Sequence, residues 1–369
     1  MEYRVIDSDS HLNSPPDMYW KRVPVKFRDR APRIVEMDGY DAWVVDNKRP
    51  SPLTILAAAA DRTDEQLAER RQIRFGEMIK GAWDPKARLS DMDLDGIDAQ
   101  ALYGDGAMGA EDPELRTVLS RAYNDWLSEF CAVAPERYIG LAVVPIQDPD
   151  EAVKETERTA SMVGLRGLFL GLDGANFPIT EPKYDRFWAL AAEQKRPVNI
   201  HIGGGALFRG TSATMANPAP GQLEAFISLA PMTVAEPIAM LIFSGVLDRH
   251  PKLRVVIAEG GIGWLAYYME RMDHVFKRQG AWAGSKLRGK PSSYVGTQIL
   301  ATFEEDLAGM RTYDLIGVDA IMWSSDFPHS DSTWPNSRAS IEKHFGHLAE
   351  GDRRAMVCEN AGRIYGLIH

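Results

Sequence analysis

A (β/α)8 barrel is the fold class that the 369-residue sequence predicts. Three observations predict it. A short apolar run followed by a helical pattern recurs eight times. Most of these runs are apolar throughout rather than alternating, which suits parallel strands covered on both faces. No longer internal repeat underlies them. An open doubly wound sheet shares the alternation of strand and helix, and the count of eight favours the barrel.

The eight strands are read as Tyr3–His11, Ala99–Asp105, Tyr138–Pro145, Gly164–Leu172, Pro197–Gly203, Arg254–Gly261, Gly296–Phe303 and Ala320–His329. Between them, Pro113–Ala134 places Leu115, Leu119, Tyr123, Trp126, Leu127 and Phe130 at helical spacing. Asp150–Met162 and Tyr184–Gln194 read the same way. Two stretches exceed a minimal barrel: about 13–90 after strand one, and about 203–249 after strand five. Long segments at the C-terminal ends of barrel strands cover active sites, so both are expected to form a lid on a single domain. The segment Pro335–His369 reads as one closing helix and a tail.

Composition narrows the function. Lys and Arg total 42, Asp and Glu total 52, and the formal net charge is −10, which argues against nucleic acid or an anionic membrane as the main partner. No run of 18 apolar residues is present, and the start MEYRVIDSD lacks the order of a signal peptide. Two distant cysteines, Cys131 and Cys358, exclude a disulfide framework and point to the cytoplasm. With no thiol pair at ligand spacing, any metal must be held by histidines and carboxylates.

Catalytic residues of a barrel sit at the C-terminal ends of its strands. Those ends carry Asp9 and His11 on strand one, His201 on strand five, Glu259 on strand six and Asp326 on strand eight. Glu304 follows strand seven, and His329 follows Asp326. Asp9 and His11, two apart on a strand, point to one face. Each has a bland reading as a turn, cap or hydrogen-bonded core residue, but one barrel mouth would gather them all. A mixed set of imidazoles and carboxylates suits zinc, iron or manganese and leaves room for water. Trp83, Phe208 and Arg209 lie in the two insertions, where they could frame an apolar or aromatic substrate bearing a carboxyl or acyl group.

The stretches IDSDSHLNSP (Ile6–Pro15), KARLSDMDLDGIDAQALY (Lys86–Tyr103), VNIHIGGG (Val198–Gly205), VVIAEGGIGW (Val255–Trp264), MWSSDFPH (Met322–His329) and ENAGRIYGL (Glu359–Leu367) resemble the amidohydrolase superfamily, in its family 2 branch. That branch includes aminocarboxymuconate-semialdehyde, resorcylate-type and carboxyvanillate-type decarboxylases. The resemblance implies a metal on Asp9, His11, His201 and Asp326, with Asp326 also moving a proton, and a homodimer. Two departures stand out. Strand four, GLFLGLDG, has no lysine to carbamylate, and strand six carries Glu259 where the family commonly has a histidine. Glu259 then becomes a second-metal ligand or a general base, and with Glu304 and His329 nearby a dinuclear site is open.

The expected activity is metal-dependent hydrolysis, or non-oxidative cleavage of a C–C bond such as decarboxylation, on a small molecule. Two alternatives stand beside it. One is a non-haem di-iron oxygenase acting on an apolar substrate, since the superfamily includes such an offshoot. The other is a binding protein with a closed structural metal.

Overall fold

The computed structural model describes residues 3–54, 58–69, 72–104, 109–171, 179–203 and 221–368. Eight strands, β1 (Ile6–Leu12), β2 (Ala99–Gly104), β3 (Tyr138–Val143), β4 (Leu165–Leu170), β5 (Val198–His201), β6 (Val255–Ala258), β7 (Ile299–Phe303) and β8 (Ile321–Trp323), pair in chain order. Each neighbouring pair is parallel. Every residue of β3, β6, β7 and β8 is buried, which accounts for their unbroken apolar runs.

The seam between β8 and β1 closes the barrel without a regular ladder. Ser8 Oγ donates to the Trp323 carbonyl at 2.6 Å, Asp326 N–H to the Asp9 carbonyl at 3.0 Å, and His11 N–H to the Phe327 carbonyl at 2.6 Å. On the other side, β1 slips its register against β2 between Asp7 and Ser10, and Ser10 Oγ donates to the Ala101 carbonyl at 2.7 Å. The two serines satisfy carbonyls where the irregular strand cannot.

All eight expected strands form; β1 runs one residue further, to Leu12, and most of the others have shorter ends. β8 is the clearest case: pairing stops at Trp323 because Asp326 enters the left-handed region at φ 56° and Pro328 has no N–H to give. Three helices open on the same local chemistry. Asp84, Asp112 and Asp148 each precede a proline, and each side chain accepts from two backbone N–H groups of the first turn. The helices they start are Pro85–Asp95, Pro113–Cys131 and Pro149–Thr159. The expected helix at Tyr184–Gln194 is Asp185–Glu193.

Three features differ from the sequence reading. The first insertion contains a small antiparallel sheet of Arg33–Glu36, Asp41–Val44 and Ser51–Pro52, too short and too charged to show alternation. It has a core of its own that includes Leu53, Ile73, Phe75 and Met78. The C-terminal segment is not one helix. Ser337–Phe345 stops at Gly346, and Glu350–Arg354 and Asn360–Ile364 flank a π-helical turn at Ala355–Glu359. Finally, Gln222–Phe243 is by length and composition apolar enough to cross a membrane. It is broken into Gln222–Leu229, a 3-10 stretch Ala230–Val234 and Ala235–Phe243, and its Val234, Ile238, Leu241 and Ile242 lie in the barrel's own core.

Gly164 precedes β4 at φ 73°, and a Cβ there would fall 2.4 Å from the Cβ of buried Cys131. Gly164→Ala combines left-handed strain with overpacking and is expected to cost about 2–4 kcal/mol in urea denaturation. An unchanged midpoint would contradict this packing.

Candidate metal centre

The strand ends converge on one cluster of imidazoles and carboxylates. His11 Nε2 lies 3.2 Å from His201 Nε2, 3.2 Å from Asp326 Oδ1, 3.5 Å from Asp9 Oδ1 and 3.7 Å from Glu259 Oε2. His201 Nε2 is 2.8 Å from Glu259 Oε2 and 3.8 Å from Asp9 Oδ1. His329 Nδ1 is 2.9 Å from Asp326 Oδ1, and its ring stacks on that of His11 with centroids 4.0 Å apart. Among the described residues two groups have ligand atoms close enough to share an ion: Asp9, His11 and His201; and His11, Glu259, Asp326 and His329.

Backbone conformation aims two of these side chains. Glu259 and Asp326, just past the ends of β6 and β8, have φ of 55° and 56°. Non-glycine residues avoid this region at a cost of about 1–2 kcal/mol each, and such strain concentrates at functional sites. Local bonds hold it. Glu259 N–H donates to Thr302 Oγ1 at 2.9 Å, and Thr302 in turn donates to Asp9 Oδ2 at 3.3 Å.

Burial sets the electrostatics, and neighbours decide each outcome. Burial pushes Asp9 well above the usual carboxylate range; His201 opposes it, while Glu259, Asp326 and Asp7 add to it. Glu304 rises for the same reason, with Asp326, Glu259 and Asp9 as like-charged neighbours. Burial also opposes charge on Glu259 and Asp326. There the imidazoles win, His201 and His11 holding Glu259 well down and His329 lowering Asp326. Against burial, Glu259 and Asp9 lift His201 to about 10, and Asp326 lifts His329 to about 9. Burial and the charge of His329 lower His11. Without an added cation, protons on His201 and His329 thus balance the carboxylates.

A divalent cation fits this set better than protons do. Asp9 Oδ1 is buried without a hydrogen-bond partner, and it faces both histidine Nε2 atoms. His201 Nδ1 lies 3.1 Å from the Ile202 carbonyl, a contact that favours the tautomer with a free Nε2 lone pair. Two nitrogens on one ion at about 2.1 Å are roughly 3.0–3.4 Å apart, which matches the His11–His201 spacing of 3.2 Å.

Of the residues singled out in the sequence, Asp9, His11, His201, Glu259, Asp326 and His329 meet here. Glu304 stands beside them, its Oε1 accepting from Ser324 Oγ at 3.3 Å, and it belongs to neither close group. Trp83 packs on Phe75 in the insertion's own core, with ring centroids 5.7 Å apart. Phe208 and Arg209 lie outside the described residues. Thr302 was missed, although it lies near the end of β7, two residues before Glu304. Tyr103 at the end of β2, with its ring 5.9 Å from that of His11 and 5.3 Å from that of His201, was missed as well.

Asp9→Asn separates the needs of the fold from those of the ion. An acid whose folded pKa is raised loses stability as pH climbs above its unfolded value of about 3.9. At pH 8 the metal-free Asn variant is therefore expected to be more stable than the parent by about 1–3 kcal/mol, while binding Mn2+ at least 100-fold more weakly. Calorimetry of metal-stripped protein with and without Mn2+ measures both. A variant that is destabilised yet binds the metal normally would contradict this role for Asp9.

Comparison with known proteins gives the chain's family. Residues 6–367 match the family model described as Amidohydrolase. The gamma-resorcylate decarboxylase of Rhizobium sp. (strain MTP-10005) is 26% identical over 303 residues, covering 76% of this chain and 86% of its own. A crystal structure of an amidohydrolase from Mycobacterium avium subsp. paratuberculosis K-10 superposes with a TM-score of 0.80 at 21% identity, covering 99% of this chain and 100% of the other. The 5-carboxyvanillate decarboxylase of Novosphingobium aromaticivorans, complexed with manganese and 4-hydroxy-3-methoxy-5-nitrobenzoic acid, superposes with a TM-score of 0.68 at 19% identity, covering 99% and 96%. With nearly its whole length matched, the chain belongs to the amidohydrolase family.

Proposed function

We propose that the protein is a divalent-metal-dependent decarboxylase of an aromatic or similarly conjugated carboxylic acid. The observation that carries the reading is the orphaned Asp9 oxygen facing two imidazole nitrogens and backed by Asp326. The decarboxylases among its relatives select this reaction over hydrolysis, and they lend nothing to the oxygenase alternative.

Asp9, His11, His201 and Asp326 would hold the ion. When bound, it supplies positive charge that binds the substrate's oxygens and stabilises negative charge developing on them. Breaking the bond from ring to carboxyl releases CO2, and the ring carbon must gain one proton. The Asp326–His329 pair is placed to hold that proton, since Asp326 Oδ1 lies 2.9 Å from His329 Nδ1 and orients the imidazole. Glu259 takes one of two parts, a second-metal ligand beside His201 or a general base. The second ligand group also admits a two-metal form, with manganese, zinc or iron as the candidate ions.

The first insertion serves as a lid on this reading, since Ala59 and Ala60 N–H groups donate to the Pro328 carbonyl, next to His329, at 2.8 and 3.0 Å. Phe208 and Arg209 remain its candidate substrate-binding residues, while Trp83 packs in the insertion's own core. Two buried free cysteines suit a reducing cytoplasm. A homodimer belongs to the same reading, and Ile227, Leu229 and Met240 are exposed apolar side chains that a partner would cover.

Metal-stripped protein reloaded with Mn2+, Zn2+ or Fe2+ and incubated anaerobically with hydroxybenzoates of the gamma-resorcylate type tests this. CO2 release is expected with at least one metal and none after chelation, and His329→Asn should lower kcat about 100-fold or more. Product that forms only with iron and O2 would overturn the reading.

A further inference from the structure

Arg88 is fully buried on the helix Pro85–Asp95, and the proposed chemistry does not use it. A buried guanidinium normally pairs with a carboxylate. Here its hydrogen-bond partners are neutral oxygens. Nε donates to Gln100 Oε1 at 2.8 Å, Nη1 donates to the His11 carbonyl at 2.7 Å and to the Gly81 carbonyl at 3.2 Å, and the guanidinium lies over the Phe327 ring at 4.8 Å. The contact with a carboxylate comes one step later. Gln100 Nε2 donates to Asp7 Oδ2 at 2.9 Å.

Asp7 spreads that connection across the β8–β1 seam. Its two oxygens also accept from Ser325 Oγ at 2.5 Å, Ser325 N–H at 2.9 Å and Asp9 N–H at 3.2 Å. One continuous chain of hydrogen bonds therefore starts in the first insertion at Gly81. It holds the carbonyl of His11, then the backbone of Asp9, and ends on the residue before Asp326. Asn13 N–H fastens the same end of the insertion by donating to the Ala82 carbonyl at 2.8 Å.

We propose that Arg88 is a positioning residue for the metal: through His11, and through Gln100 and Asp7, it presets the ligands Asp9, His11 and Asp326 and ties them to the insertion over the mouth. This rests on the reading of those three residues as ligands. The role needs arginine, because a rigid planar fork reaches Gln100, His11 and Gly81 at once, whereas a lysine ammonium on a flexible stem does not hold that geometry. Outer partners of this kind are worth about 10–100-fold in metal affinity.

Mn2+ titration followed by electron paramagnetic resonance tests the proposal on full-length, metal-stripped protein. Wild type, Arg88→Lys, Gln100→Met and the double variant are compared. Each single change is expected to raise the Mn2+ Kd by about 10–100-fold. The double change should raise it no further than the worse single, because both cut one chain. A role confined to anchoring the helix would lower the melting temperature and leave Kd alone. Folded variants with Kd within twofold of wild type, or losses that multiply in the double, overturn the proposal. If Arg88→Lys does not fold, Gln100→Met and Ser325→Ala give the same comparison from the other end of the chain. Tight wild-type binding with unchanged variants refutes Arg88 alone. Absent wild-type binding refutes the ligand assignment and this inference with it.

Discussion

Like charges held together out of water are the constraint on which the rest of the mouth depends. Asp7, Asp9 and Asp326 are buried, and Glu259 and Glu304 crowd beside them. Such a group is stable only if something positive enters it or protons neutralise it. In the protein alone, His201 and His329 supply that charge, and Asp9 still lacks a hydrogen-bond partner for one oxygen. A cation placed among them answers both needs, so the cluster reads as a site kept for binding at some expense of stability.

The backbone around the seam is shaped to this end. The β8–β1 seam closes without a regular ladder. Instead β1 shifts register, Ser8 and Ser10 take over carbonyls, and Asp326 turns left-handed, as does Glu259. Two of these departures, the left-handed turns at Glu259 and Asp326, fall on residues of the cluster. The site's precision thus comes from irregularities that the surrounding closed barrel can carry.

Much of this was legible in the sequence, for a physical reason. Parallel strands buried on both faces must be apolar throughout, so a polar residue at such a strand's C-terminal end stands out. That rule picks out His201, Glu259 and Asp326; Asp9 and His11 follow from their two-residue spacing on β1, and His329 from its place three residues after Asp326. Thr302, near the end of β7 and two residues before Glu304, could have been found. Arg88 could not, because a helix residue in a charged segment shows nothing of its burial until the helix docks. Trp83 was read from its segment alone, and its packing against Phe75 depends on a small sheet whose strands are too short to leave a pattern.

The central claim is that the strand ends form one cation site around the unpartnered oxygen of Asp9. The most direct test is an anomalous difference map from a crystal of the protein grown with Mn2+. The account predicts a peak bonded to Asp9, His11, His201 and Asp326, with metal–ligand distances of about 2.0–2.3 Å. A map with no peak among these residues, at a concentration where Mn2+ binds elsewhere on the chain, would contradict it.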